Sequence, residues 1–411
     1  MTAASTSRDI PYLDIMDQEF DFEGREAVEA QERSWYADSP LGTLVLRYAE
    51  VRDLLRDPRL DHNGKRYLEM NGIVDGPIHD WFVPMIVNRD GESHRRLRGL
   101  VNKAFTPRMI SGLRPFIRAK AEELTDQLAS VEVCEFVEDF GNPLPLAVMC
   151  ELLGVPTEDY DTFRVWTADV GLVFSLAHGG DIPRRVENAL VGLNGYVDAI
   201  MADKAASPTG DLISALVTAR RDDDGLVSVA ELRNLIVTLV FAAHDTTRHQ
   251  LGNAMVAFAA HPDQWRLLAG RPELAARSAD EVIRWVPSSR SVYRFAAEDL
   301  EFRGVHFPRE TFFMMCVGIA QRDPRVFRDG ATFDISVTRE APALQFGGGP
   351  HHCLGSALAR TEVAEVLPVL TGRLGPPVVA GPLGWRPPIG IHGPEPLPLR
   401  FDTPGPTRTD R

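Results

Sequence analysis

Phe346-Gly347-Gly348-Gly349-Pro350-His351-His352-Cys353-Leu354-Gly355 runs without a break into Ser356-Ala-Leu-Ala-Arg360-Thr-Glu-Val-Ala-Glu365. Three consecutive glycines leave a backbone free to enter left-handed angles and to lie close against a flat ligand. The residues after Gly355 have the composition of a helix, so Cys353 stands just ahead of a helix N-terminus. Unpaired N–H groups and the helix dipole there favour a thiolate. A buried small hydrophobe behind a tight turn is the plainer reading of one cysteine. Against it stands the whole string Phe-Gly-x-Gly-x-His-x-Cys-x-Gly, with five residue types at fixed offsets from the sulfur.

Outward from this loop, helical periodicity dominates. Apolar residues recur three and four apart over 112–130, 142–153, 185–204, 229–260, 274–286 and 355–373. The longest begins at Ser228 with Glu231 three residues on, a capping-box signature, and stops before His261-Pro262. Some thirty residues at 1.5 Å each make ~45 Å, a spine through the molecule. Strand-like segments are few: Thr43–Tyr48, Leu300–Phe302, Val305–Phe307 and Thr311–Val317. The expected fold is mostly α with a small segregated β region, one domain over 11–401, and frayed ends at 1–10 and 402–411.

Composition narrows the function. Among 411 residues, 44 Lys+Arg face 58 Asp+Glu, a formal charge of −14. That balance argues against a general nucleic-acid binder. Apolar residues make up 44%, so a packed enzyme is expected rather than a disordered chain. Cys134, Cys150, Cys316 and Cys353 have neither zinc-ribbon nor disulfide-scaffold spacing, which suits a reducing cytoplasm. No run approaches the ~20 apolar residues of a membrane span, and the start lacks the pattern of a secretory signal.

The glycine–histidine–cysteine string resembles the haem-binding loop of the cytochrome P450 superfamily, and other motifs of that family follow in order from about residue 40 to 401. The resemblance implies haem b with Cys353 as axial ligand to the iron, a thiolate that favours O–O cleavage. It also implies a loop built on Phe346, Gly347 and Gly355, with Phe346 shielding the sulfur. Glu281-Val-Ile-Arg284 looks like the family's buried Glu-x-x-Arg pair, on one helix face at i and i+3, with Arg339 as its third member. His94 and Arg98, at i and i+4, resemble the segment that grips a haem propionate. Arg294 and His351 match further propionate-holding positions.

Ala242-Ala243-His244-Asp245-Thr246-Thr247, midway along the spine, resembles the family's oxygen-activating segment. Ala243 stands where the family more often has glycine. The implied chemistry consumes two protons per dioxygen, and an acid beside an alcohol can relay them; Asp245 and Thr246 are the expected pair. A mid-helix hydroxyl bonding back to i−4 would also bend the helix. The family layout puts the substrate against Met85, Ile86 and Val87 in an apolar run (81–87) suited to a mobile lid. Phe174 in the patch 170–177, then Leu239, Ala242, Ala243, Ser289 and Val292, and Ile391 in a turn at 388–392, complete the expected pocket.

The resemblance thus implies a monooxygenase that inserts one oxygen atom of O2 into a hydrophobic organic substrate, by hydroxylation or epoxidation, in secondary-metabolite biosynthesis. Electrons would come from NAD(P)H through ferredoxin and ferredoxin reductase, docking near Cys353 and Arg360. Peroxide-driven oxidation, oxidative coupling, dehydration, and a non-catalytic haem sensor are the alternatives.

Overall fold

A computed structural model describes residues 10–17, 20–174, 180–222, 227–386 and 389–402. The 32-residue helix Val229–Ala260 runs through its centre. Ser228 starts it: the Ser228 side chain accepts the Glu231 N–H at 3.1 Å, and the Glu231 carboxylate accepts the Ser228 N–H at 3.0 Å. From Leu232 to Phe258 its side chains are buried on nearly every face, which requires partners all round. Those partners are the helices Pro143–Leu153, Tyr160–Gly171, Ile182–Ala206 and Ala275–Trp285. The helix behind the cysteine loop, Ser356–Arg373, packs instead on Pro107–Ala129 and Ala275–Trp285.

The six helices expected from periodicity are present, as Pro107–Ala129, Pro143–Leu153, Ile182–Ala206, Val229–Ala260, Ala275–Trp285 and Ser356–Arg373. Shorter ones escaped the pattern, among them Tyr48–Leu54, Gly64–Met70, Gly91–Ala104 and Tyr160–Gly171. One to four turns give periodicity little room to register. Two strand expectations were too long. Gly42–Val45 and Phe312–Met315 are strands, but Tyr48 and Val317 each open a helix.

The main sheet has five strands in the order Tyr36–Ser39, Gly42–Val45, Phe312–Met315, Val292–Ala296, Leu60–Asp61. Only the Gly42–Val45/Phe312–Met315 pairing is parallel. Leu300–Phe302 and Val305–Phe307 form a separate antiparallel hairpin, and Pro398–Phe401 joins Cys134–Glu135 and Pro377–Val379. This is a helical fold with a small β region set to one side.

The segment 81–87 is not a loose lid. Helix Gly76–Phe82 carries Trp81 and Phe82 into the core at 4% and 0% exposure, with Met85 at 1%. Asn234 Nδ2 ties the Trp81 carbonyl at 2.8 Å, and Asn88 Nδ2 ties that of Phe82 at 2.7 Å. Pro84 follows the helix, and large apolar side chains beside it serve as anchors rather than as a mobile flap. Of the termini expected to fray, 1–9 and 403–411 lie outside the described residues. Asp402 is tied, its N–H donating to Pro376 O at 3.1 Å and its carbonyl accepting from Gly375 N at 3.0 Å.

Glu231 does more than cap. Arg89 and Arg96, on and just before helix Gly91–Ala104, reach it at 3.1 and 2.6 Å. The Arg96 hydrogen bond, against partial burial, holds the carboxyl down to about 2 from its ordinary 4.5. Glu231→Gln should therefore cost about 1 kcal/mol at pH 7. A depressed folded-state pKa contributes fully above the unfolded value and fades as pH falls through the folded one. Thermal melts of the two proteins should differ most above pH 4.5 and converge towards pH 2.

Candidate active site

Local geometry fixes where the cysteine sulfur points. The turn Leu344–Phe346 leads into Gly347 at φ +69° and Gly349 at φ +62°, both left-handed and natural to glycine. A Cβ at Gly348 would lie 3.2 Å from Arg56 and 3.3 Å from Leu55, so the loop lies tight against the chain after helix Tyr48–Leu54. Cys353 N–H donates back to Phe346 O at 2.8 Å, closing the loop. The Arg360 guanidinium covers the Phe346 ring at 4.6 Å. The Cys353 side chain is left facing an internal cavity.

Its surface belongs to that cavity and not to bulk solvent, and burial raises the thiol above its ordinary value. The amides of Gly355 and Ser356 and the guanidiniums of Arg98 and Arg360 oppose this. The helix N-terminus helps the thiolate, as the sequence suggested, but is outweighed; a bound cation would supply the remainder.

Across the same cavity lies the spine helix, contributing Leu239, Ala242, Ala243, Thr246 and Thr247. Thr246 Oγ1 donates to Ala242 O at 3.0 Å, the expected bond to i−4. Asp245 is not on this wall. It is fully buried, 2.8 Å from Arg248 Nε and 2.9 Å from Arg386 Nη1, with His249 at 3.7 Å. Burial alone would raise its carboxyl, but the two guanidiniums outweigh that and hold it well below its ordinary value. A Cβ on Gly171 would stand 2.7 Å from Asp245 Oδ2, so helix Tyr160–Gly171 lies directly against this carboxylate. The acid and the alcohol therefore occupy different sides of the helix. His244 is buried too, 2.9 Å from Thr167 Oγ1, away from the cavity.

Basic groups gather at one edge. Arg98 and His351 line the cavity. His94 lies with its ring 4.3 Å from that of His351, whose Nε2 is 2.8 Å from Asp90. Arg294 is buried and donates to His62 Nε2 at 2.6 Å and to Tyr293 O at 2.7 Å. Burial pushes His94 down to about 4, so near neutrality its ring is uncharged.

Glu281 accepts from Arg284 at 2.8 Å on both oxygens and from Arg339 at 3.2 and 3.1 Å. Arg284 also donates to the carbonyls of Gln321, Gly330 and Thr332. The structure thus brings all three residues together. Of the expected pocket residues, Ile86, Val87, Leu239, Ala242, Ala243 and Ser289 line the main cavity, and Phe174, Val292 and Ile391 line a second chamber beside it. Met85 does neither, being packed in the core. Residues 175–177 and Pro388, parts of two expected patches, lie outside the described residues.

Sequence reasoning missed His62 and Glu362. His62 follows a two-residue strand and carries no local signal. Glu362 had one: it interrupts the stripe Leu358, Ala359, Val363 on the helix behind the cysteine, all lining the cavity. Burial pushes its carboxyl well above the ordinary range, and Oε2 has no partner among the described residues.

Among the described residues no three His, Cys, Asp or Glu side chains converge to hold a bare ion. One sulfur facing an apolar cavity suits a metal that brings its own equatorial ligands. The cationic edge suits acidic groups on that carrier. The residues fit haem: Cys353 would bind its iron, and Arg98, His94, His351 and Arg294 would meet its propionates.

These features suit a haem-thiolate site. A model of the family "Cytochrome P450" matches residues 273–370. Over 394 residues the chain is 45% identical to luteothin monooxygenase of Streptomyces thioluteus, covering 96% of each. It is 35% identical to mycinamicin IV hydroxylase/epoxidase of Micromonospora griseorubida, over 87% of this chain and 88% of that one. Among solved structures, cytochrome P450 CYP109Q5 from Chondromyces apiculatus aligns with a TM-score of 0.84 at 29% identity, covering 95% and 98%. The chain belongs to the cytochrome P450 family and is a cytochrome P450 monooxygenase; its relatives include bacterial enzymes of secondary-metabolite biosynthesis. Among the described residues no helix is long and apolar enough to cross a membrane.

Removing one member of the Glu281 cluster strands buried charge. Arg284→Met should destabilise the fold by about 3–5 kcal/mol, measured as a lowered urea midpoint.

Proposed function

We propose that this enzyme holds haem b through Cys353 and takes electrons from NAD(P)H by way of ferredoxin and ferredoxin reductase in the cytoplasm. It would hydroxylate or epoxidise a hydrophobic substrate at a carbon lying beside Thr246. One observation carries the reading: Cys353 and Thr246 both line one largely apolar cavity. The haem supplies oxygen activation when bound; this chain supplies the rest. Ala242, Ala243 and Leu239 exclude water from the distal wall. Arg98 and His351 hold the haem edge, with Arg294 and His94 behind them. Thr246 offers a hydroxyl whose own proton is engaged with Ala242 O, leaving its oxygen free to accept a hydrogen bond from a protonated group in the cavity. The names of the two relatives above, a monooxygenase and a hydroxylase/epoxidase, support the same reaction type.

Asp245 enters this reading as a relay: once Arg386 moves aside, its carboxylate can take up a proton from solvent and hand it on towards the cavity. Its double guanidinium clamp also favours a second reading, in which peroxide drives the oxidation and no relay is used. Turnover with a ferredoxin pair and NAD(P)H, compared with turnover on hydrogen peroxide alone, separates the two.

Carbon monoxide added to the reduced protein should give the red-shifted Soret band of thiolate ligation, and Cys353→Ala should abolish it. A wild-type band at the position of nitrogen-ligated haem would end the proposal. Thr246→Val should keep that band but lower product formed per NAD(P)H roughly tenfold or more.

A further inference from the structure

Joined to the main cavity at Ala242, Thr246 and Ser289 is the second chamber. Five aromatic side chains from separate parts of the chain line it: Tyr67, Phe174, Phe241, Tyr293 and Phe312. Their planes are ordered. Phe174 and Phe241 stack at 5.1 Å and 8°. Tyr67 and Tyr293 stack at 4.6 Å and 12°, and Tyr293 continues to Phe312 at 6.1 Å and 17°. Tyr67 Oη donates to Phe174 O at 3.1 Å, linking the two stacks. A pocket selecting by burial alone has no need of oriented rings. Rings held in fixed planes present defined faces and edges, to which another π-system binds more strongly than its area explains.

The chamber also holds one polar demand. His62, 5% exposed, lines it. Its Nε2 lies 2.6 Å from Arg294 Nη1, and because a guanidinium nitrogen only donates, Nε2 must accept. The ring proton is therefore on Nδ1, which is buried and has no partner among the described residues. An unmet buried donor is costly, and a ligand's oxygen or nitrogen would satisfy it.

We propose that the substrate carries a flat aromatic or conjugated segment with a hydrogen-bond-accepting atom, seated in this chamber against His62, while the carbon to be oxidised lies in the main cavity. This rests on the haem-thiolate reading and specifies its substrate class.

Naphthalene-2-carboxamide and trans-decahydronaphthalene-2-carboxamide test it, having one skeleton and one carbonyl but differing in flatness. The saturated amide is the more hydrophobic, so burial alone ranks it first. In calorimetric titrations of the haem-loaded enzyme the naphthalene amide should bind roughly fivefold tighter, and Phe241→Leu should reverse the order. His62→Phe should weaken the naphthalene amide about fivefold. His62→Gln, which can accept from Arg294 and still donate, should largely restore it. Equal or tighter binding of the saturated amide to the wild type overturns the flat segment. If His62→Phe instead leaves amide affinity unchanged and speeds haem transfer to apomyoglobin, Nδ1 serves the haem edge and the acceptor is overturned. The carbon monoxide spectrum of each sample keeps the two levels apart. A missing thiolate band in the wild type fails the haem-thiolate reading. A normal band with the saturated amide preferred fails only this proposal.

Discussion

The Glu281 carboxylate, wholly buried, accepts hydrogen bonds from two guanidiniums and from the Asp334 amide. An isolated charge there would be untenable, so its partners are fixed with it. Arg284, held by Glu281, spends its remaining N–H groups on the carbonyls of Gln321, Gly330 and Thr332. Gln321 then donates to the carbonyls of Ile283 and Arg284, and its Oε1 accepts the Leu344 N–H at 2.6 Å. Leu344 opens the turn that delivers Phe346 and, seven residues later, the sulfur. A chain of buried hydrogen bonds thus runs from one helix to the ligand loop, and the direction of Cys353 is set well away from Cys353.

Opposite the sulfur, the spine helix separates two jobs by geometry. Adjacent residues on an α-helix point about 100° apart, so one neighbour can leave a wall that the other lines. The alcohol faces it; the acid faces Arg248 and Arg386. What reads in sequence as one acid–alcohol unit is in space an exposed hydroxyl and a buried anion back to back. Any traffic between them depends on the segment that carries Arg386.

Much of this was legible beforehand, for identifiable reasons. Long helices announce themselves because many turns repeat one apolar stripe, and a capping box marks where the spine begins. The cysteine loop was readable because its glycines, histidine and sulfur are adjacent in sequence. Contacts made by distant segments were not. Nothing around His62 says that it will meet Arg294, and nothing at Asp245 says that Arg386 will close over it. The stretch 81–87 misled because an apolar run among turn residues suits a flap as well as an anchor; only its burial under the start of the spine decides. Glu362 could have been found, as an acid in a stripe of small and branched residues.

Gly171 carries a wider consequence. Its bare Cα lets helix Tyr160–Gly171 rest on the Asp245 carboxylate, and Phe174 of the second chamber follows three residues later. A methyl there would press on Asp245 Oδ2 at 2.7 Å and on the Phe241 ring of the second chamber at 3.2 Å, so one of them must give way. A position that never meets the guest thereby touches both the buried carboxylate and the aromatic wall.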